Sequence, residues 1–390
     1  MKKAIAFMLV ITAIITSVQA QWTTLNSGTN EDLYAVRFSD LNNGLVTGYH
    51  GIILKTDDAG ITWDSIPSGT GTSLNSVVYT NSSTAFVAGY DGTILKSADG
   101  GSTWNNMNTG IFKHLTSVYF TDANTGYAAG ESGEIIKTTD AGVTWSEQTS
   151  GVSDYLHAIY FTSTDTGYMA GNLGSIIKTT NGGQTWTLQN SGTTSSLYSL
   201  YFLNSETGYA VSYYGEIFKT NNGGTTWTSL SSGIFTPLTS VFFSGNNTGY
   251  TVGATGTILY TDNAGSTWSQ QNSGSGEVLQ AVYFHNAQTG YCVGQHGTIL
   301  KTINGGLSDI EESGINAMSM WPNPASDAIN IEYPESSNNT IRIFATDGTL
   351  VMAKSNLGPA FEIDISGLCN GMYFIELNGS GIFNKAIVVH

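Results

Sequence analysis

The chain has little charge and almost no cysteine. Of its 390 residues only 11% are charged, and its two cysteines are too few for a disulfide framework. Basic residues are scarcer than acidic ones, since 13 Lys and Arg stand against 29 Asp and Glu for a formal net charge of −16. Such a chain repels a nucleic-acid backbone and an anionic membrane surface, so we expect neither as a partner.

Glycine and apolar residues are abundant instead. The 47 glycines indicate many tight turns, which is typical of an all-β chain. Hydrophobic residues make up 40% of the sequence, enough for a sizeable core. At this length we expect more than one folded domain.

The first twenty residues have the pattern of a secretory signal peptide. Lys2 and Lys3 precede an apolar run from Ala4 to about Ile15, and Val18-Gln19-Ala20 forms a small-residue cleavage site. We predict cleavage before Gln21; an uncleaved membrane anchor is the alternative, but the apolar run is short. No other apolar run is long enough to span a bilayer, so we expect no transmembrane segment.

Tryptophan recurs with a fixed period. Seven tryptophans are each 41 residues apart: Trp22, Trp63, Trp104, Trp145, Trp186, Trp227 and Trp268. A period near 40 indicates a repeat fold. Each repeat contains four short β-rich runs separated by Gly, Asn and Asp, which predicts a four-stranded antiparallel blade.

The repeats close into a ring if the first strand joins the last blade. Seven inner-strand runs begin at Leu33 and recur to Leu279, but the seventh repeat stops at Asn304-Gly305-Gly306 without a tryptophan strand. The unassigned Trp22 strand supplies the missing piece and removes two exposed sheet edges. We predict a seven-bladed β-propeller over residues 21–308. An open solenoid is the alternative, but it would need capping repeats, and none are visible.

A loop motif precedes each tryptophan, as in Thr56-Asp57-Asp58-Ala59-Gly60-Ile61-Thr62-Trp63. It resembles the Asp-box of sialidases and related propellers. We expect the Asp to cap turn amides, the Gly to adopt a positive φ and the Trp to pack between blades. Six lysines occupy one column, that is, the equivalent position in different repeats: Lys55, Lys96, Lys137, Lys178, Lys219 and Lys301. We interpret these lysines as solubilising residues that pair with Asp-box carboxylates.

The whole repeat, with its Gly-Tyr-x-x-Gly and Ile-Leu-Lys-Thr-x-x-Gly-Gly-x-Thr-Trp segments, resembles the Ycf48-like propellers, which are photosystem II assembly factors of the BNR type. The resemblance covers about three quarters of the chain and implies a non-enzymatic binding scaffold outside the cytoplasm. Photosynthetic members contact their client protein through an arginine-rich surface of the propeller, whereas this propeller has one arginine, Arg37.

The tail carries a second resemblance, after an acidic linker at 309–317. Met320-Trp321-Pro322-Asn323-Pro324-Ala325 and later alternating runs indicate a small immunoglobulin-like β-sandwich over 318–390. It resembles the type A C-terminal sorting domain of the type IX secretion system of Bacteroidota. The resemblance implies that the secretion machinery is a partner and that the protein is secreted or attached to the cell surface. The matching residues are Pro322, Asn323, Pro324, Gly348, Gly371, Tyr373 and Lys385.

Positions that vary between repeats fall in two loops, one between the second and third strands and one before each inner strand. Both should open on the face opposite the Asp-boxes and form a rim around the central channel. Aromatic, His and carboxylate side chains there suit a protein or glycan ligand, while ordinary variation of solvated loops is the alternative. The candidate rim residues are Tyr49, His50, Tyr90, Asp91, Phe112, His114, Glu131, Tyr155, Tyr213, Tyr214, Phe235 and His296.

Signs of catalysis are missing. A sialidase needs several arginines to grip the substrate carboxylate, and xyloglucanase-type propellers place two aspartates between two propellers. His50, Asp91 and His296 share a column and are metal-ligand types, but loops on adjacent blades stand too far apart, so we expect no metal. We therefore predict a secreted binding protein without catalytic residues or cofactors. The alternative is a carbohydrate-active hydrolase using Asp91, Glu131 or Asp154.

Overall fold

Short antiparallel strands follow one another throughout the computed structural model, which describes residues 22–307, 319–332, 339–345, 349–377 and 383–388. The predicted signal peptide, the linker and Gly348 lie outside the described residues. The chain divides into two compact units on either side of Leu307. No helix among the described residues is long and apolar enough to cross a membrane.

The first unit consists of seven four-stranded sheets, each one a blade. Blade 1 holds β2 (Leu33–Phe38), β3 (Gly44–Gly48), β4 (Ile53–Thr56) and β5 (Asp64–Ser65); blade 2 holds β6 (Leu74–Tyr79), β7 (Ala85–Gly89), β8 (Ile94–Ser97) and β9 (Asn105–Met107); blade 3 holds β10 (Leu115–Phe120), β11 (Gly126–Gly130), β12 (Ile135–Thr138) and β13 (Ser146–Glu147). Blade 4 holds β14 (Leu156–Phe161), β15 (Gly167–Gly171), β16 (Ile176–Thr179) and β17 (Thr187–Gln189); blade 5 holds β18 (Leu197–Phe202), β19 (Gly208–Ser212), β20 (Ile217–Thr220) and β21 (Thr228–Leu230); blade 6 holds β22 (Leu238–Phe243), β23 (Gly249–Gly253), β24 (Ile258–Thr261) and β25 (Ser269–Gln271). Blade 7 holds β26 (Leu279–Phe284), β27 (Gly290–Gly294), β28 (Ile299–Thr302) and, as its outermost strand, β1 (Thr23–Leu25).

The amino-terminal strand closes the ring, as the tryptophan pattern predicts. β1 pairs antiparallel with β28, with Thr23 opposite Lys301 and Leu25 opposite Ile299. Trp22 is 1% exposed and meets the ring of Phe284 edge-on, with the centroids 5.7 Å apart. Blades 1, 3, 4, 5 and 6 use their own tryptophan in the same way, as Trp63 packs edge-on against Phe38. The predicted seven-bladed propeller is confirmed.

Each Asp-box is held by its own side chains. In blade 1 the carboxylate of Asp58 accepts hydrogen bonds from the backbone N–H and the hydroxyl of Thr62, at 2.9 and 2.7 Å. These bonds lower the pKa of Asp58 to about 2. Gly60 adopts a φ of +80°, as expected, because a turn of this kind needs the left-handed region.

Neighbouring blades are joined through one backbone carbonyl of the Asp-box. Between blades 3 and 4 the hydroxyl of Tyr127 and the ammonium of Lys137 both donate to the carbonyl of Gly182, at 2.8 and 2.7 Å. Between blades 7 and 1 Tyr291 and Lys301 donate to the carbonyl of Ala59 at the same two distances. The closing junction is therefore built like those between blades 3 and 4, 4 and 5, and 5 and 6.

The predicted role of the lysine column is wrong in one respect. The ammonium groups reach the next blade and bind its Asp-box carbonyls. The carboxylates of the boxes in blades 1–3 are already bonded within their own loops, and blades 4–7 have Asn at that position. These ammonium groups also lie over an aromatic ring, as the Nζ of Lys137 does over Tyr127 at 5.3 Å from the centroid. Lys55 is an exception and donates to the hydroxyl of Ser102 at 2.6 Å.

One junction replaces the lysine. In blade 6 the column holds Tyr260, and the carbonyl of Gly305 in blade 7 accepts from Tyr250 at 3.0 Å and from the amide of Gln271 at 3.0 Å. The same buried Gln271 accepts the indole N–H of Trp22 at 2.9 Å. Gln271 therefore supplies the second donor at this junction and also fastens the amino-terminal strand.

The described residues of the second unit form seven strands in two sheets: β29 (Ser319–Trp321), β30 (Ala328–Glu332), β31 (Asn339–Ala345), β32 (Leu350–Leu357), β33 (Ala360–Asp364), β34 (Gly371–Leu377) and β35 (Phe383–Val388). The sheets have the orders β29-β30-β33 and β32-β31-β34-β35, and their apolar faces share one core. The small β-sandwich is thus present.

Five of the sorting-motif positions have clear places in this unit. The segment from Pro322 to Pro324 is exposed after β29, Gly371 begins β34, and buried Tyr373 donates its hydroxyl to the carbonyl of Cys369 at 2.9 Å. Lys385 lies in β35, and its side chain is outside the described part. In the propeller Cys292 is fully buried, as expected of a core residue.

We predict that Gln271→Leu lowers the free energy of unfolding by about 1–3 kcal/mol, because it leaves the buried indole N–H of Trp22 without its acceptor. Gln189 occupies the equivalent position in blade 4 but bonds only to its own strand. Gln189→Leu should change stability by less than about 0.5 kcal/mol. Chemical denaturation followed by tryptophan fluorescence measures both, and equal effects would contradict the proposed fastening.

Candidate functional site

The two variable loop types lie on the same face of the propeller. The turn after β3 bonds to the loop before β2 through Tyr49 N–H and the carbonyl of Asp32, at 2.8 Å. The turn after β7 bonds to the loop before β10 through Gly92 and Lys113, at 2.9 Å. Ala59 of the Asp-box instead bonds to the turn between β2 and β3. We call the face formed by the first two loop types the rim.

A compact cluster forms on the rim between blades 2 and 3. The rings of Tyr90 and His114 stack with centroids 4.1 Å apart. The backbone N–H of Asp91 donates to Nδ1 of His114 at 3.2 Å, and its carboxylate lies 3.5 Å from the same nitrogen. Glu131 accepts the backbone N–H of His114 at 3.2 Å. The structure therefore brings four predicted rim residues together.

The histidines of blades 1 and 7 pair with separate carboxylates. His50 Nδ1 lies 3.4 Å from Glu31, and His296 Nδ1 lies 2.8 Å from Glu277. The Glu277 carboxylate raises the pKa of His296, first through this hydrogen bond and then through its charge. Within the described ranges no group of three His, Cys, Asp or Glu is arranged to hold a metal ion.

A row of aromatic rings crosses the rim over blades 4 and 5. Tyr155 stacks on His157 at 5.2 Å, His157 meets Tyr198 edge-on at 5.0 Å, and the row continues through Tyr213 to Tyr214. His157 also bonds through Nε2 to the side chain of Asn172 at 2.8 Å. Burial lowers the pKa of His157 despite this bond.

His157, Tyr198 and Tyr34 were not among the residues expected on the rim. They occupy the second position of the inner strands, which varies between repeats, and that variation was the available signal. A bulge after the first residue, between Leu33 and Ala35 in blade 1, interrupts the regular alternation of side chains between the two faces of the sheet at this position. Burial, followed by the charge of Asp32, raises the pKa of Tyr34 to about 12.

Two phenylalanines stand out from the rim loops. Phe112 is 88% exposed and Phe235 is 93% exposed, so neither contributes much to the core. Shallow grooves lie beside the rim turns of blades 1, 2 and 3, and Phe112 lines the groove of blade 2 together with Asp91. Exposed rings beside grooves supply contact area for a partner.

The rim carboxylates have local structural partners. Asp154 accepts the hydroxyl of Ser175, while Glu131 holds the backbone of His114. Lys113 pairs with the largely buried Glu134 at 2.7 Å, and this bond raises the pKa of Lys113. These contacts of Asp154, Glu131 and Glu134 position the loops.

Family models match both units. The model of the photosynthesis system II assembly factor YCF48 matches four overlapping segments, 14–111, 65–139, 104–229 and 184–275, which together span well over half of the chain. The model of the secretion system C-terminal sorting domain matches residues 319–390. This tail indicates export to the cell surface or the medium. None of the curated proteins compared with the chain matches it.

Solved structures share the propeller fold. One described as YCF48 bound to D1 peptide is 17% identical with a TM-score of 0.64, covering 74% of this chain and 96% of its own. YCF48 from Cyanidioschyzon merolae is 20% identical with a TM-score of 0.64, covering 73% of this chain and 99% of its own. A GH74 enzyme of Niastella koreensis is 14% identical with a TM-score of 0.62, covering 95% of this chain and 75% of its own.

The pKa values of His296 and His157 should be shifted in opposite directions from that of an ordinary histidine. We predict that His296 titrates above an ordinary histidine and His157 below it, and that Glu277→Gln lowers the pKa of His296 alone. Because the folded-state pKa of His296 is raised, the stability from its ion pair is present at low pH and is lost as the pH rises through that pKa. Histidine ring signals in an NMR pH titration measure both values. A His296 pKa that Glu277→Gln leaves unchanged would contradict the assignment.

Proposed function

The chain belongs to the family of the photosynthesis system II assembly factor YCF48, and we propose that it is a non-catalytic propeller that binds an extended segment of another protein on its rim. The sorting tail supports a place of action outside the cell, reached through the type IX machinery. One observation carries the proposal: the rim presents aromatic and histidine rings across blades 1–5, beside grooves in three consecutive blades.

Aromatic rings are suited to this task because they bury much area with few rotatable bonds. Tyr49, Tyr90, Tyr213 and Tyr214 are all between 39% and 62% exposed, so a ligand reaches their faces without rearrangement of the core. The structure described as YCF48 bound to D1 peptide is of a propeller that takes a peptide. An extended peptide laid over several blades would meet successive rings and grooves.

The charge of the rim favours a basic segment. Glu31, Asp32, Asp91, Glu131 and Glu277 surround the rim histidines, and Lys113 is already paired. Complementary charge speeds encounter and selects partners. We therefore propose a ligand segment that alternates Lys or Arg with apolar side chains, the opposite of the acidic client that an arginine-rich surface would select.

A carbohydrate-active hydrolase is the second candidate, favoured by the rim carboxylates and by the similarity to a GH74 enzyme. Hydrolysis needs a general acid and a second carboxylate at a set separation. Asp91, Glu131 and Asp154 instead have partners within the loops. Turnover of a β-glucan or xyloglucan that Asp91→Asn or Glu131→Gln abolishes would establish the hydrolase and overturn the binding proposal.

We predict that Phe112→Ser together with Tyr90→Ala weakens binding of a basic, apolar peptide selected from a peptide array by about 30-fold, since two aromatic contacts that contribute about 1 kcal/mol each sum to about 2 kcal/mol. Ile61→Ser is the matched control, because Ile61 is 71% exposed on the opposite, Asp-box face. Fluorescence anisotropy gives the affinities, and thermal melting confirms that the variants fold. An array without binders, or equal loss in the control, would overturn the rim as the site.

A further inference from the structure

A second candidate site lies inside the propeller, at the fifth position of the inner strands. This column holds Arg37, Val78, Tyr119, Tyr160, Tyr201, Phe242 and Tyr283. The position is next to the turn between the first and second strands, at the Asp-box end of the channel, since Arg37 pairs with Leu45 one step from that turn. The site is therefore separate from the rim and independent of the function proposed for it.

The aromatic members form a continuous girdle. Neighbouring ring centroids are 5.8 Å apart for Tyr119 and Tyr160, then 5.3, 5.1 and 5.6 Å onward through Tyr201 and Phe242 to Tyr283. Each tyrosine of the girdle donates its hydroxyl to a backbone carbonyl of the next blade, as Tyr160 does to Phe202 at 2.8 Å. What the girdle offers to the channel is aromatic surface.

Arg37 completes this girdle as its single charge. Its guanidinium carbon lies 5.3 Å from the ring centroid of Tyr283. The charge also acts across the channel: burial raises the pKa of Tyr119, Tyr201 and Tyr283, and Arg37 opposes that rise in all three. Arg37 lies on β2, the innermost strand of blade 1, and is only partly buried.

Arg37 lacks the partner that the chain's other arginine has. Arg342 in the second unit also lies over a ring, that of Phe344, and it pairs with a Glu376 carboxylate oxygen at 2.5 Å. Among the described residues no carboxylate lies within ion-pair distance of Arg37, and the ring of Tyr283 lies against its guanidinium. A half-buried guanidinium with its N–H donors unused is a ready anion receptor.

We propose that Arg37 and the aromatic girdle form an axial site for a monoanionic organic carboxylate. The guanidinium donates two parallel hydrogen bonds to the carboxylate oxygens, and the rings contact the organic part. A planar carboxylate fits the guanidinium fork, whereas a dianion such as phosphate would keep an uncompensated charge among the rings. The net charge of −16 opposes multivalent anions further.

The composition of the chain makes a direct test possible, since Arg37 and Arg342 are its only arginines. Full-length protein labelled with ¹⁵N-arginine gives two guanidinium Nε signals, which Arg37→Lys assigns. Sodium benzoate is the probe, with sodium chloride at matched ionic strength, neutral benzamide and inorganic phosphate as comparisons. We expect benzoate to shift the Arg37 signal saturably and to leave Arg342, which already has its carboxylate, unchanged.

Benzamide should bind at least about tenfold more weakly than benzoate, because it lacks the charge that doubles the strength of each hydrogen bond. Benzoate should also raise the melting temperature of the wild type and not that of Arg37→Gln. If that variant fails to fold, the wild-type titration alone decides. Equal shifts of both arginine signals, equal effects of chloride or phosphate, or no saturable shift would overturn the axial site.

Discussion

The structure depends on backbone carbonyls of the Asp-boxes. In the boxes of blades 1, 4, 5 and 6 one carbonyl accepts both a tyrosine hydroxyl and a lysine ammonium from the preceding blade, so a polar group that would be costly to bury is fully used at the junction. A charged donor strengthens the bond, and the lysine stem covers the aromatic ring beside it. Because blades 7 and 1 are joined by the same pair of bonds, the ring closes without a weaker seam there.

This arrangement separates structure from recognition. The Asp-box face carries the repeated hydrogen bonds, and its residues hardly vary from blade to blade. The rim is held mainly by backbone bonds between its loops, so its side chains differ between blades without loss of the fold. The His, Tyr and Phe residues gather there for that reason, and the sorting tail adds export of the finished scaffold.

The sequence predicted the large-scale features well, because a strict period of 41 residues and an orphan strand at Trp22 leave few alternatives for the ring. It did not predict the partners of the lysines, since these lie one blade away and about 45 residues along the chain. It also missed Tyr34, His157 and Tyr198, because the bulge after each leucine breaks the alternation from which facing residues are deduced. The histidine–carboxylate pairs depend on loop geometry that no pattern of residues specifies.

Hydrogen exchange tests the closed ring most directly. The amides of β1 in blade 7 can be compared with those of β17, the equivalent outer strand of blade 4. If β1 is an integral strand that completes the last blade, both sets exchange slowly and with similar protection. Exchange of β1 at the rate of an unstructured peptide, with β17 still protected, would contradict the closure on which the rim and the axial channel both depend.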